Sequence, residues 1–195
     1  AVADVDNDGW LDAVATSVHD TRHALFHSES GARFVDVGGR IAPDVAAGWK
    51  GGPALADYDN DGDLDLFIAQ GDFGDPDVNL LLRNDRGRFV DVTAEAGLAD
   101  VDLPPYSSDI PSLSPVSMWL DFDRDGFVDL YVGSLGADRL YRNRGDGTFS
   151  DVTEAAGLAG VFSVGSCLAT DVNGDGWPDL YLAVAEGANR LFVND

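Results

Sequence analysis

Apolar residues along the chain come in short runs, rich in β-branched and aromatic side chains and separated by Asp, Gly and Asn. That pattern predicts strands rather than helices. One set of runs is Ala13-Val-Ala-Thr16, Leu66-Phe-Ile-Ala69, Leu130-Tyr-Val-Gly133 and Leu180-Tyr-Leu-Ala183. A second set follows a polar turn: Ala24-Leu-Phe-His27, Asn79-Leu-Leu-Leu-Arg-Asn84, Arg139-Leu-Tyr-Arg-Asn143 and Arg190-Leu-Phe-Val-Asn194. A third follows a Gly turn in three copies, at Arg33-Phe-Val-Asp-Val37, Arg88-Phe-Val-Asp-Val-Thr93 and Thr148-Phe-Ser-Asp-Val-Thr153. A fourth set, with small residues, includes Gly48-Trp-Lys-Gly-Gly-Pro53, Ser114-Pro-Val-Ser-Met118 and Phe162-Ser-Val-Gly-Ser-Cys167.

The runs recur in order, giving four repeats of about four antiparallel strands, at approximately 1–43, 44–105, 106–160 and 161–195. Units of that kind bury their faces only against one another, so the predicted fold is all-β, a single domain of β-propeller blades over 1–195. Small residues fit the strand nearest the axis, where blades crowd. Thr93-Ala-Glu-Ala-Gly97 and Thr153-Glu-Ala-Ala-Gly157 read as single helical turns closed by Gly. Asp102 to Pro115, with four prolines and four serines, reads as a surface loop. The first copy has almost nothing before its Asp-rich stretch, and the fourth lacks its last run. The expectation is therefore an arc of a larger ring, with flanking blades missing, and a closed four-blade ring is the alternative.

Between the small-residue run and the next strand, each repeat carries the pattern D-x-[DN]-x-D-G-x-x-D. Oxygen donors stand at positions 1, 3, 5 and 9: Asp4, Asp6, Asp8 and Asp12; Asp57, Asp59, Asp61 and Asp65; Asp121, Asp123, Asp125 and Asp129; Asp171, Asn173, Asp175 and Asp179. Alternate residues of a tight loop converge on one point, and Ca²⁺ takes six to eight hard oxygens. The Gly at position 6 permits the turn, and position 7 offers a backbone carbonyl from Trp10, Asp63, Phe127 or Trp177. An EF-hand needs a Glu at position 12; Ala15, Ile68, Val132 and Leu182 stand there instead. About four Ca²⁺, one per loop, are expected. The fourth loop, with Asn173 for a carboxylate and Pro178 beside Asp179, is expected to hold its ion most weakly, and the second most tightly.

Composition sharpens this reading. The formal charge is −23, from 35 acidic and 12 basic residues, so nucleic acid and anionic membranes are poor partners and cations good ones. No apolar run is long enough for membrane insertion. The lone Cys167 excludes an internal disulfide and reads as a core thiol.

In these loops the chain resembles the FG-GAP and VCBS repeats of integrin α-chain propellers and of many secreted bacterial proteins. Asn143-Arg-Gly-Asp-Gly-Thr-Phe-Ser-Asp-Val-Thr-Glu-Ala-Ala-Gly-Leu158 and Asp129-Leu-Tyr-Val132 are most similar to the propeller region of ASPIC/UnbV-type proteins, relatives of cartilage acidic protein. The resemblance implies an extracellular or periplasmic propeller, about seven-bladed, with Ca²⁺ on one face and a role in adhesion, scaffolding or binding a protein or glycan. The chain departs from the family at Gly38-Gly-Arg-Ile41 and in the Asp102 to Pro115 insert. Two alternatives stay open, an extracellular enzyme acting on polysaccharide and a purely structural spacer. No G-x-S-x-G, P-loop or H-E-x-x-H motif supports catalysis. His19, His23 and His27 would align as metal ligands only on a helix, and the repeat register puts them on a turn and strand. Arg144-Gly145-Asp146 reads as a hairpin turn.

Overall fold

The computed structural model describes residues 1–16, 24–38, 49–71, 79–99, 116–134, 137–161, 164–185 and 187–195. The insert Asp102 to Pro115, residues 39–41, His19 and His23 lie outside them. The first sheet holds β1 (Val2–Ala3), β2 (Asp12–Ala15), β3 (Ala24–Glu29) and β4 (Arg33–Asp36). The second holds β5 (Trp49–Ala56), β6 (Asp65–Gly71), β7 (Leu80–Asn84) and β8 (Phe89–Asp91). The third holds β9 (Val116–Leu120), β10 (Asp129–Gly133), β11 (Arg139–Asn143) and β12 (Phe149–Asp151). The fourth has three strands, β13 (Val164–Thr170), β14 (Asp179–Val184) and β15 (Arg190–Phe192). Every strand pairs antiparallel with its sequence neighbour, so each sheet is a meander, and no α-helix occurs among the described residues.

In the second and third blades the second strand is apolar on both sides because another blade covers each side. In β6, Leu66 and Ile68 face the first blade, joining Val5, Val14, Leu25, Leu82 and Phe89. Their neighbours Phe67 and Ala69 face the third blade, with Leu81, Leu130, Val132, Tyr141 and Phe149. All four are fully buried. In β10 the pattern repeats, with Tyr131 turned toward Leu180 and Leu182 of the fourth blade. Each such side chain contributes about 1.5–3 kcal/mol on leaving water, so the interfaces between blades are the core.

Aromatic rings reinforce the second interface. Trp119 stacks on Tyr58 at 6.4 Å between ring centres and meets Phe67 edge-on at 6.2 Å. Inner strands crowd as the small residues predict: a Cβ on Gly133 would lie 2.6 Å from Val116 Cγ2 and 3.2 Å from Val164 Cγ1. The single turns also form. Ala96 N donates to Val92 O and Leu98 N to Thr93 O, with Gly97 at φ +76°; Ala156, Leu158 and Gly157 repeat the arrangement.

The arc is open at its fourth blade. Tyr181 and Leu191 are 39% and 51% exposed, whereas their repeat counterparts Tyr131 and Leu140 are 0% and 4%. Cys167 is half-buried against the third interface, and burial pushes its thiol up to about 11, which leaves it unreactive.

Candidate metal centre in the Asp loops

Each Asp loop joins the first and second strands of its blade, and the first three loops fold through the same hydrogen bonds, with a variant of them in the fourth. The position 1 carboxylate accepts two backbone N–H groups across the turn. Asp4 takes those of Asp8 and Gly9, Asp57 those of Asp61 and Gly62, and Asp121 those of Asp125 and Gly126, at 2.8–3.1 Å. Asp171 takes those of Gly174 and Gly176, and these bonds hold its carboxyl below the usual range. At position 5, Asp8, Asp61, Asp125 and Asp175 each accept the N–H of position 7. Gly9, Gly62, Gly126 and Gly176 have φ between +89° and +95°, which only Gly adopts freely.

Position 9 is a buried clamp. Asp65 accepts Tyr58 N at 3.0 Å and Asn84 N at 2.8 Å, tying position 2 of the loop to the third strand. Asp12 does this with Val5 and Ser28, Asp129 with Phe122 and Asn143, and Asp179 with Val172 and Asn194. All four are at most 2% exposed. Burial pushes Asp65 and Asp129 up to about 7 against the pull of those N–H donors.

Position 3 is different, because its oxygens are left over. Asp6 Oδ1 and Asp59 Oδ1 are buried and have no hydrogen-bond partner. Burial raises both carboxyls, with added repulsion from Asp12 on Asp6 and from Asp61 on Asp59. Ligand atoms come within 4.8 Å of one another in Asp4-Asp6-Asp8, Asp57-Asp59-Asp61 and Asp121-Asp123-Asp129. Asp12, Asp6 and His27 form a further such group in the first loop. The fourth loop forms none among the described residues; Asn173 Nδ2 instead donates to Asp175 Oδ2 at 2.7 Å.

Position 7 side chains turn away from the cluster. Trp10 and Phe127 lie on the hairpin glycines Gly31 and Gly145, where a Cβ would sit 2.6 and 2.8 Å from the rings. Gly145 belongs to Arg144-Gly145-Asp146, whose Asp146 caps Thr148 and whose Arg144 N bonds Thr148 O, as a hairpin turn requires. At position 7 of the second loop, Asp63 accepts Arg86 N of its own hairpin and Asn7 Nδ2 of the first loop, and Trp177 lies under Arg124 of the third.

Sequence reasoning set His27 aside as a metal ligand and passed over Arg142, the position 4 side chains and the third-strand amides. The position before the third-strand Ser or Asn hangs over the first and third loops. His27 Nδ1 is 3.2 Å from Asp6 and 3.1 Å from Asp12. Arg142 bonds Asp123 and Asp125, while Arg83 pairs with Asp85 away from its loop. Position 4, written as a free "x", reaches the next loop. The conserved-looking amides at Asn84, Asn143 and Asn194 join blades, with Nδ2 donating to Val5 O, Tyr58 O and Phe122 O of the preceding loop. Their recurrence at the end of three of the four second runs was the available signal.

Meander blades that carry one such loop between first and second strands define a repeat domain of the propeller type. A family model for the FG-GAP-like repeat matches residues 4–68 and 121–182, well over half the chain, and the chain belongs to that family. Cartilage acidic protein 1 of Mus musculus is 26% identical over 171 residues, covering 83% of this chain and 25% of that protein. The Homo sapiens protein is also 26% identical over 171 residues, with 24% of its length covered. The chain thus spans about a quarter of these relatives. A solved structure concerning recognition of non-reducing terminal N-acetylglucosamine by an Agrocybe aegerita lectin aligns with all of this chain and 52% of its own. Its TM-score is 0.54 at 21% identity, a likeness of fold.

Proposed function

We propose that this chain is a calcium-binding repeat module of a secreted or cell-surface protein, extracellular or periplasmic, whose blades carry a surface for a protein or glycan ligand. The observation that carries the reading is the pair of buried, unpartnered oxygens on Asp6 and Asp59, each at the same position of a loop whose other carboxylates converge on it. A buried polar atom without a partner costs free energy, and a hard cation would satisfy both oxygens and offset the repulsion among the acids. The donor set suits Ca²⁺: all-carboxylate in the second loop, with Asp57, Asp59 and Asp61 as the innermost ligands and the Asp63 carbonyl available. Asp4, Asp6, Asp8 and Asp12 would hold the ion in the first loop, Asp121, Asp123, Asp125 and Asp129 in the third, and Asp171, Asn173, Asp175 and Asp179 in the fourth. Carbonyls of Trp10, Phe127 and Trp177 serve as Asp63 does.

Thermal melts of metal-stripped protein with and without calcium test this. At ten times its dissociation constant each site contributes about 1.4 kcal/mol, so the melting temperature should rise clearly; identical curves would remove calcium from the account. The solved structure of similar fold concerns recognition of non-reducing terminal N-acetylglucosamine by a lectin, so glycans are the first ligand class to screen, on an array with and without calcium.

A further inference from the structure

We propose that position 4 of the first three Asp loops is a positioning residue for the following loop, so that the loops form a chain in which ion binding at one favours binding at its neighbours. The inference rests on the loops being cation sites, as argued above, and adds how they communicate.

The geometry repeats at each junction. Asn7 Nδ2, in the first loop, donates to Gly62 O at 3.2 Å and to Asp63 Oδ1 at 2.9 Å in the second. Asn60 Nδ2, at the same place in the second loop, donates to Gly126 O at 3.1 Å in the third. Arg124, at that place in the third, lays its guanidinium 5.1 Å over the Trp177 ring, against Gly176, in the fourth. Each contact lands on position 6 or 7 of its neighbour, in the turn that carries the position 7 carbonyl. All three donors have φ of +58° or +59°, a left-handed backbone that Asn tolerates and Arg rarely adopts. That backbone is what throws the side chain sideways out of its own loop. In the fourth loop the position is Gly174, with no side chain to send onward.

The first and third strands of neighbouring blades hold the two ends of each junction fixed. Asn84, Asn143 and Asn194 pin position 2 of the preceding loop to the blade that carries the next one. An ion that orders positions 3 to 5 of one loop therefore orders the donor at position 4, and the donor orders the turn of the next. Coupling between adjacent sites then needs no movement of the blades, only the prior payment of loop ordering at one site for its neighbour. It is reciprocal between neighbours and falls away with each further step.

The test uses Asn60→Gly, which keeps the left-handed backbone accessible and removes only the amide. Isotope-labelled protein is titrated with calcium chloride while the amides of Gly9, Gly62, Gly126 and Gly176, one per loop, are followed by NMR. Calcium affinities reported by Gly126 and, by reciprocity, Gly62 should weaken up to about fivefold, the effect of one net hydrogen bond, with the Gly9 curve moved least. Asn7→Gly should shift the weakening to Gly9 and Gly62. Melting of the metal-stripped Asn60→Gly protein serves as the control for a merely structural role and should match wild type. A Gly126 curve in Asn60→Gly that overlays wild type overturns the coupling while leaving the calcium reading intact. Four glycine amides in wild type that ignore calcium overturn both.

Discussion

The side-chain amide of Asn143 leaves its own blade to donate to Tyr58 O at 2.8 Å, a carbonyl 85 residues earlier in the chain. Its second N–H goes to Val128 O at 3.1 Å in the third loop, and its Oδ1 accepts Gly145 N at 2.9 Å. One fully buried amide thus joins two Asp loops and a hairpin. Replacing Asn143 by Leu leaves two carbonyls and an N–H without partners, and equilibrium unfolding in urea should show a loss of about 3 kcal/mol. A loss under about 1 kcal/mol would mean that water replaces the amide without penalty.

Asp65 accepts two backbone N–H groups whether or not an ion is nearby, so its removal harms the fold itself. Asp65→Ala should cost the metal-stripped protein about 2–4 kcal/mol, whereas Asp59→Ala, which deletes an unpartnered buried oxygen, should leave the stripped protein as stable or more stable and weaken calcium binding. Denaturation of both variants in chelator separates the clamp from the ligand; equal losses would show that the two positions share one role.

Arg142 places a cation where an ion would sit in the third loop, bridging Asp123 and Asp125. Calcium must displace it. Arg142→Gln should raise calcium affinity at that loop about threefold to tenfold, the range for two exposed ion pairs, and leave the second loop unaltered because Arg83 already points to Asp85. Calorimetry in which the variant binds more weakly would make Arg142 a support rather than a competitor.

Asp65 and Asp129 are held at about 7 against an ordinary 3.8. Between those values the folded, metal-stripped chain binds more protons than the unfolded one, so these two groups make stability fall as pH rises through the window and leave it level above it. Stripped protein should withstand more urea at pH 5 than at pH 8. Calcium holds carboxylates ionised, so its affinity should drop over the same window as pH falls, and a calcium affinity unchanged from pH 8 to pH 5 would contradict the burial of these carboxyls.

The fourth loop lacks a converged set of carboxylates, and Asn173 ties up Asp175. It should empty first as calcium is lowered, and Asn173→Asp should tighten it by freeing Asp175 and adding charge. Crystals grown at graded calcium read the order directly; a fourth loop that fills first would show that Pro178 preorganises the site more than charge governs it.

What the sequence determined by itself is everything that depends on local spacing. Alternation and turn residues mark fourteen of the fifteen described strands from neighbouring residues alone, as in Leu130-Tyr-Val-Gly133, and the left-handed glycines and offset acids fix each loop from within nine residues. Even the double-sided apolar character of β6 and β10 is written in the consecutive residues Leu66-Phe-Ile68 and Leu130-Tyr-Val132. What only the tertiary structure decided is how each loop meets its surroundings. Asp59 has an unpartnered oxygen and Asp123 does not, although both hold position 3, because Arg83 turns outward and Arg142 turns inward from equivalent places on β7 and β11. Asn60 and Asn143 look like turn-forming amides in sequence and become junctions between blades once the sheets stack. The reason is physical: burial and hydrogen-bond supply are properties of the whole packing, so identical motifs acquire different partners when the next blade differs.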